Sequence, residues 1–214
     1  MGRHLTRYPG VLVSFEGLER VGKSTQIGLL AEWLAGLEVP PVVLREPGHT
    51  ELGETLRRTL LHDVKIENAR AELLLFAAAR AELVATQVRP NLERGGVVIL
   101  DRFIDSSVAY QGYGGGIALD VVHAINQIAT ESLCPDITFW LDGKSFPRDA
   151  ALDQIELRDD KYFERVRTGY QDIATADPLR VQVIDANQAP DVVHHLISER
   201  MQPWLIRLRG GRPV

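Results

Sequence analysis

Cysteine is nearly absent from the 214-residue chain, and its one example, Cys134, excludes an intramolecular disulfide. No run approaches the roughly 20 consecutive apolar residues that cross a bilayer, and the opening MGRHLTRYPG lacks the apolar stretch of a secretory signal. A cytoplasmic protein without a membrane partner is therefore expected. Gly 18 and Pro 11 are too few for a low-complexity or disordered chain. Lysine is scarce too: only Lys23, Lys65, Lys144 and Lys161 stand beside 20 arginines. With 24 basic against 29 acidic residues the formal net charge is -5, which excludes the broad basic surface of a generic nucleic-acid binder. Any anionic ligand must be held by a local cluster. Arginine's planar fork suits phosphate recognition, but codon usage produces the same excess, so position rather than ratio carries the information.

What is present is 45% hydrophobic residues, enough at this length for a substantial core. Compact β-branched runs, read as strands at Val11–Glu16, Val42–Arg45, Val97–Asp101, Ile137–Asp142 and Val181–Asp185, alternate with helical patterns. The helices are expected over Lys23–Ala35, Leu52–Leu61, Ala69–Glu93, Leu119–Glu131, Asp160–Ala174 and Asp191–Leu208, with a break or kink near Pro90. Several strands are apolar throughout, as strands buried on both faces of a parallel sheet are. Gln111–Gly116 (QGYGGG) and the long stretch from Gly143 to Asp160 read as loops. No linker or repeat interrupts the alternation, so residues 1–214 are expected to form one α/β domain.

Gly17-Leu18-Glu19-Arg20-Val21-Gly22-Lys23-Ser24 matches GxxxxGK[ST], with an apolar strand before it and a helix-compatible stretch from Thr25 after it. In this phosphate-binding loop the backbone N–H groups curl around phosphate and the helix N-terminus adds a favourable dipole. Lys23 neutralises the transferred group, and the Ser24 hydroxyl is offered to magnesium. Asp101, directly after an apolar strand, is the carboxylate placed to complete the Mg2+ shell. The motif implies a nucleoside triphosphate and magnesium but not the acceptor. No Asn-Lys-x-Asp tetrad is present, which argues against a switch GTPase.

A kinase whose acceptor is itself a phosphate needs a second anion site. Arg45 and Arg102, each at a C-terminal strand end, are placed for one, although each alone also reads as a surface ion pair. Phe76 and Arg80 stand four residues apart and share a helix face. A base could stack on that ring while the guanidinium donates to its edge. Equally, Phe76 could be ordinary core and Arg80 could pair with Glu72 or Glu82.

The chain resembles the thymidylate kinase family, which transfers phosphate from ATP to dTMP. The matching blocks are Phe15-Glu16-Gly17, Lys23-Ser24-Thr25-Gln26, Arg45-Glu46-Pro47-Gly48 with Leu52-Gly53-Glu54, and Leu73–Arg80, followed by Asp101-Arg102-Phe103 through Ser106, Ala109–Gly112, Pro135-Asp136 and Leu141-Asp142. They run in order over nearly the whole chain. The resemblance implies a three-layer P-loop fold, a central parallel five-stranded sheet flanked by helices, with a lid-like segment at about residues 143–160. It implies that Phe76 stacks on thymine, that Arg80 reads the base edge, and that Arg45 and Arg102, with Pro47 nearby, hold the dTMP phosphate. Tyr110 packs on the deoxyribose, Ser107 and Gln111 lie near the base, and Glu19 serves the sugar 3′-hydroxyl and the acceptor phosphate. ATP falls to Gly17 through Thr25 and to the adenine-lining Asp185-Ala186-Asn187, with Arg148 stacking on adenine. A homodimer is also implied, with Phe139, Trp140 and the helix face at Ala118–Ile128 as either interface or core.

Family members carry a catalytic arginine either in the phosphate loop or in an arginine-rich lid. Here Arg20 sits in the loop, the lid-like segment offers only Arg148 and Arg158, and Gln154 occupies a position where arginine is common. Catalysis is therefore assigned to Lys23, Arg20, Glu19 and Arg102, with Arg20 as the phosphoryl-stabilising arginine. A deoxynucleoside kinase is the competing enzyme. It needs a base for a 5′-hydroxyl and has no phosphate to clamp, and Glu46 keeps that reading open. ATP binding that merely regulates a partner is a third reading. His123, His194 and His195 show no metal-ligand spacing, and Cys134 is expected to be a small buried apolar residue.

Overall fold

The structure, a computed structural model, describes residues 8–144 and 153–210. The five expected strands form at the expected bounds: β1 (Val11–Glu16), β2 (Val42–Arg45), β3 (Val97–Asp101), β4 (Ile137–Asp142) and β5 (Val181–Asp185). All pairings are parallel, in the order β2-β3-β1-β4-β5, with Phe15 level with Asp101 and Arg45 level with Asp101. Alternation of side chains across a strand decides which helices cover which face. Val11, Val13 and Phe15 of β1 join the cluster under α1 (Lys23–Gly36) and α8 (Pro190–Leu208). Leu12 faces the other way, into the cluster with Leu83, Val84, Val88 and Leu92. Helices thus cover both faces, and β1, β3 and β4 are buried along nearly their whole length.

On the second face lie α2 (Glu51–Arg58), capped by the Thr50 side chain, and α3 (Ala69–Leu83), capped by Asn68. The expected long helix does run to Glu93, through a wide i→i+5 turn at Val84–Val88 into α4 (Arg89–Glu93). The break therefore falls one turn before Pro90, where widening accommodates a residue that cannot donate back to the preceding turn. The segment expected as a loop at Gln111–Gly116 is instead helical as far as Gly114. Ile104–Ser107 forms α5, a helix missed in the sequence, and a wide helical stretch continues it over Val108–Gly114. Tyr162 and Arg165 of α7 (Asp160–Ala176) donate to the carbonyls of Tyr110 and Gly114, and a Cβ on Gly114 would meet the Tyr162 ring at 2.6 Å. Glycine there permits helix-to-helix contact rather than a turn. The remaining helix is α6 (Leu119–Thr130). Phe139 and Trp140 belong to the core, at 0% and 4% exposure.

Candidate active site

The C-terminal strand edge opens onto a cavity of about 270 Å³ bounded by the loop after β1, the loop after β2, the face of α3 and the start of α5. The loop after β1 requires glycine at two points. Gly17 has φ 135° and a Cβ would lie 2.5 Å from the Leu141 carbonyl, while Gly22, at φ 97°, turns the chain into α1. Lys23 is buried and its Nζ donates to the Gly17 and Leu18 carbonyls at 3.2 and 2.7 Å. Burial, and after it the nearby Arg102, pushes its pKa down to about 8. Ser24 is exposed at the start of α1, and one buried oxygen of Asp101, Oδ1, has no hydrogen-bond partner. A hydroxyl and an orphaned carboxylate oxygen beside a phosphate loop suit a magnesium ion bound jointly with nucleotide phosphates. Among the described residues no cluster of three His, Cys, Asp or Glu side chains forms a separate metal site.

Arginines line the same cavity. Arg102 Nη2 donates to Glu19 at 2.7 Å and to the Tyr110 hydroxyl at 3.2 Å, and Tyr110 donates to Glu19 at 2.8 Å. Burial raises the Glu19 pKa, but Arg102 and Lys23 outweigh it and hold the carboxyl below its usual value. Arg45 pairs with Glu54 at 2.7 Å. Arg57, which the sequence reading missed, also lines the cavity and donates to the Pro47 carbonyl at 3.1 Å. Burial, then the adjacent Arg45, pushes its pKa down against the opposing pull of Glu54. Its signal was helical phase: it lies three residues after Glu54, which holds Arg45, and so returns to the same face of α2.

Arg20, at φ 61°, reaches over the cavity to Glu156, with Nε and Nη2 at 3.1 and 2.9 Å from the same carboxylate oxygen. Glu156 is itself fixed by the Asp153 backbone N–H at 3.0 Å.

Phe76 lines the cavity half-buried. Arg80 is 1% exposed and pairs with neither Glu72 nor Glu82. Its Nε donates to Glu46 at 2.6 Å, Nη1 to Asn126, and Nη2 to the Phe103 carbonyl at 3.3 Å and the Ser107 hydroxyl at 2.9 Å. One N–H on Nη1 remains for a ligand. Glu46, the carboxylate that kept a nucleoside acceptor open, is thereby committed to Arg80. Gln111 donates to Glu72 at 2.8 Å, and Glu72 also pairs with Arg158. Because a carboxylate only accepts, the Gln111 carbonyl oxygen is turned away from it.

Most of the residues assigned from the sequence converge here: Glu19, Arg20, Gly22, Lys23, Ser24, Arg45, Pro47, Phe76, Arg80, Asp101, Arg102, Ser107, Tyr110 and Gln111 all line the one cavity. Gly17, Leu18, Val21 and Thr25 shape the loop without lining it. Asp185 ends β5 and Ala186 and Asn187 follow it, where Ala186 packs in the same cluster as Val21 and Ile27, outside the cavity. Arg148 lies outside the described residues, as does much of the segment from 143 to 160. Cys134 is half-buried rather than buried, and burial pushes its thiol up to about 11.

A phosphate loop facing a second cluster of arginines, on a five-stranded parallel sheet, defines a P-loop kinase with an anionic acceptor. Residues 15–197 match the thymidylate kinase family. A thymidylate kinase from Prosthecochloris aestuarii is 44% identical over 88% of this chain and 92% of its own length. One from Symbiobacterium thermophilum is 43% identical over 95% of this chain and 99% of its own. The crystal structure of the thymidylate kinase from Ehrlichia chaffeensis superposes with a TM-score of 0.78 at 34% identity, over 90% of this chain and 99% of that one. The chain belongs to the thymidylate kinase family.

Proposed function

We propose that the cavity divides the family's reaction, phosphorylation of dTMP to dTDP by ATP, between a donor wall and an acceptor wall. The enzyme is a thymidylate kinase. The nucleophile is a phosphate oxygen already ionised at neutral pH, so no strong base is needed. The task is to bring two polyanions into line and neutralise the charge between them. On the donor wall the loop from Gly17 to Thr25 cradles the ATP phosphates and Lys23 reaches the transferred group, while Asp185, Ala186 and Asn187, outside the cavity, border adenine. Ser24 and Asp101 would hold magnesium, which would supply positive charge against the nucleotide phosphates. On the acceptor wall Arg45, Arg57 and Arg102 hold the dTMP phosphate, with Glu19 and Tyr110 beside the sugar. Phe76 stacks on thymine, and Arg80, Ser107 and Gln111 border its polar edge.

The observation that carries this reading is one cavity lined together by Lys23, by Arg45, Arg57 and Arg102, and by Phe76 and Arg80. Arg20 supplies positive charge at the transferring group, released from Glu156 when nucleotide binds. The test is Arg20→Gly, expected to lower kcat about 1000-fold with KM values changed only a few-fold. Unchanged turnover, with activity lost instead in Arg148→Ala, would move that role to the lid. We place the enzyme in the cytoplasm as one kinase domain, with residues 143–160 as its lid. Among the described residues no helix is long and apolar enough to cross a membrane. We also propose a homodimer through α3 and α6, which pack together and expose Leu74, Val121 and Ile128. A monomer in sedimentation at micromolar concentration would exclude it.

A further inference from the structure

Glu16, at the end of β1 immediately before the phosphate loop, is fully buried and has no role in the assignments above. Its Oε1 accepts from the Phe103 backbone N–H at 2.8 Å. Its Oε2 accepts from the Ser106 hydroxyl at 2.5 Å and the Tyr170 hydroxyl at 3.0 Å. Those two hydroxyl oxygens in turn receive Arg102 Nη1, at 3.2 and 3.4 Å. A hydroxyl has one hydrogen, a carboxylate only accepts and a guanidinium only donates. The two hydroxyls also lie 2.9 Å from each other, so their two hydrogens are shared between Glu16 and that contact; either way none points at Arg102, and oxygen lone pairs face its guanidinium.

The backbone is fixed from the same place. Arg102 sits at φ 70°, in the left-handed region that a residue with a Cβ adopts at a cost. Its own N–H donates to the Phe15 carbonyl at 2.9 Å, and the next N–H, of Phe103, is the one held by Glu16. Two successive residues of β1 thus pin the peptide groups on either side of Arg102.

We propose that Glu16 is the positioning residue for Arg102, holding its strained backbone and orienting its hydroxyl supports so that the guanidinium meets the acceptor phosphate in register with the phosphate loop. This rests on the reading that Arg102 grips that phosphate. It also gives the strand that carries the donor loop a direct hold on the acceptor site. Glu16→Gln keeps the shape but accepts on one side only: with its carbonyl toward the hydroxyls its N–H₂ meets the Phe103 N–H, and turned the other way its N–H₂ meets the hydroxyls, so one of the two holds is lost.

The test compares binding of dTMP and of thymidine, which lacks only the phosphate, by calorimetry at about pH 8.5. Burial and the neighbouring Asp105 raise Glu16 to about 7, so the carboxylate is ionised there. Glu16→Gln is expected to weaken dTMP by about 10- to 100-fold, the effect of losing a hydrogen bond to a charged group, and thymidine by less than about twofold. In an Arg102→Ala background the same change should have no further effect on dTMP. Equal loss of both ligands, no loss of dTMP, or the full loss persisting without Arg102 would overturn the proposal. If Arg102→Ala alone leaves dTMP unaffected relative to thymidine, the phosphate reading fails and takes the proposal with it. If Arg102→Ala weakens dTMP and Glu16→Gln does not, only the proposal fails. Should Glu16→Gln not fold, Ser106→Ala and Tyr170→Phe remove the two hydroxyls singly, and dTMP binding unchanged in both would refute the relay.

Discussion

Glu46→Leu probes the buried charge pair beneath the base end of the cavity. The Arg80 and Glu46 side chains are 1% and 2% exposed, so water cannot take over when one partner is removed. After the substitution the remaining partners of the Arg80 guanidinium are the neutral Asn126 oxygen, Phe103 carbonyl and Ser107 hydroxyl. Breaking a buried pair from one side costs about 3–5 kcal/mol. At about 2–4 °C per kcal/mol for a chain of this size, melting should fall by about 6–20 °C. Urea unfolding with an unchanged m value gives the free energy directly. The double variant Glu46→Leu with Arg80→Met removes both charges and should recover most of the stability, yet remain poor with dTMP because the base edge has lost its donor. A loss below about 1 kcal/mol in Glu46→Leu, or a double variant no more stable than the single one, would refute the placement of an uncompensated charge there.

Two further outcomes follow from the cation cluster. Burial pushes Lys23 down to about 8, so it is about half deprotonated at pH 8, and a bound triphosphate should restore its proton. Calorimetry of MgATP binding in buffers of different ionisation enthalpy should then show uptake of about half a proton at pH 8 and little from this group at pH 6.5. Equal uptake at both would contradict the depressed value. Arg57→Ala should raise the KM for dTMP by about tenfold or more, as expected for losing a charged hydrogen bond, while leaving the KM for ATP within about twofold. An increase in both would show that Arg57 supports the fold of the site rather than the acceptor phosphate.

The sheet was legible because its strands are short apolar runs whose bounds are set by the residues themselves, down to the charged ends at Arg45, Asp101 and Asp185. The phosphate loop was legible for a related reason: Gly17 and Gly22 answer local backbone demands that no other residue meets. What local pattern hid was decided by tertiary contact. The glycines of residues 112–116 resemble a turn, but Gly114 lies against the Tyr162 ring and its carbonyl is taken by Arg165, so the chain stays helical there. Arg80 found its carboxylate 34 residues away in Glu46 rather than on its own helix. Glu16 read as the last residue of a strand, and only the fold brings Phe103, Ser106 and Tyr170 to it.

The central claim, that the arginine wall receives a monophosphate on thymine, is met most directly by ATP-to-ADP turnover with magnesium against dTMP, dUMP, dCMP, dGMP, AMP and thymidine. Fast turnover with dTMP, weaker turnover with dUMP and none with thymidine is the expected result, since one methyl is worth only about 1–3 kcal/mol in a pocket. Turnover of thymidine without dTMP, or none across the panel, would contradict it.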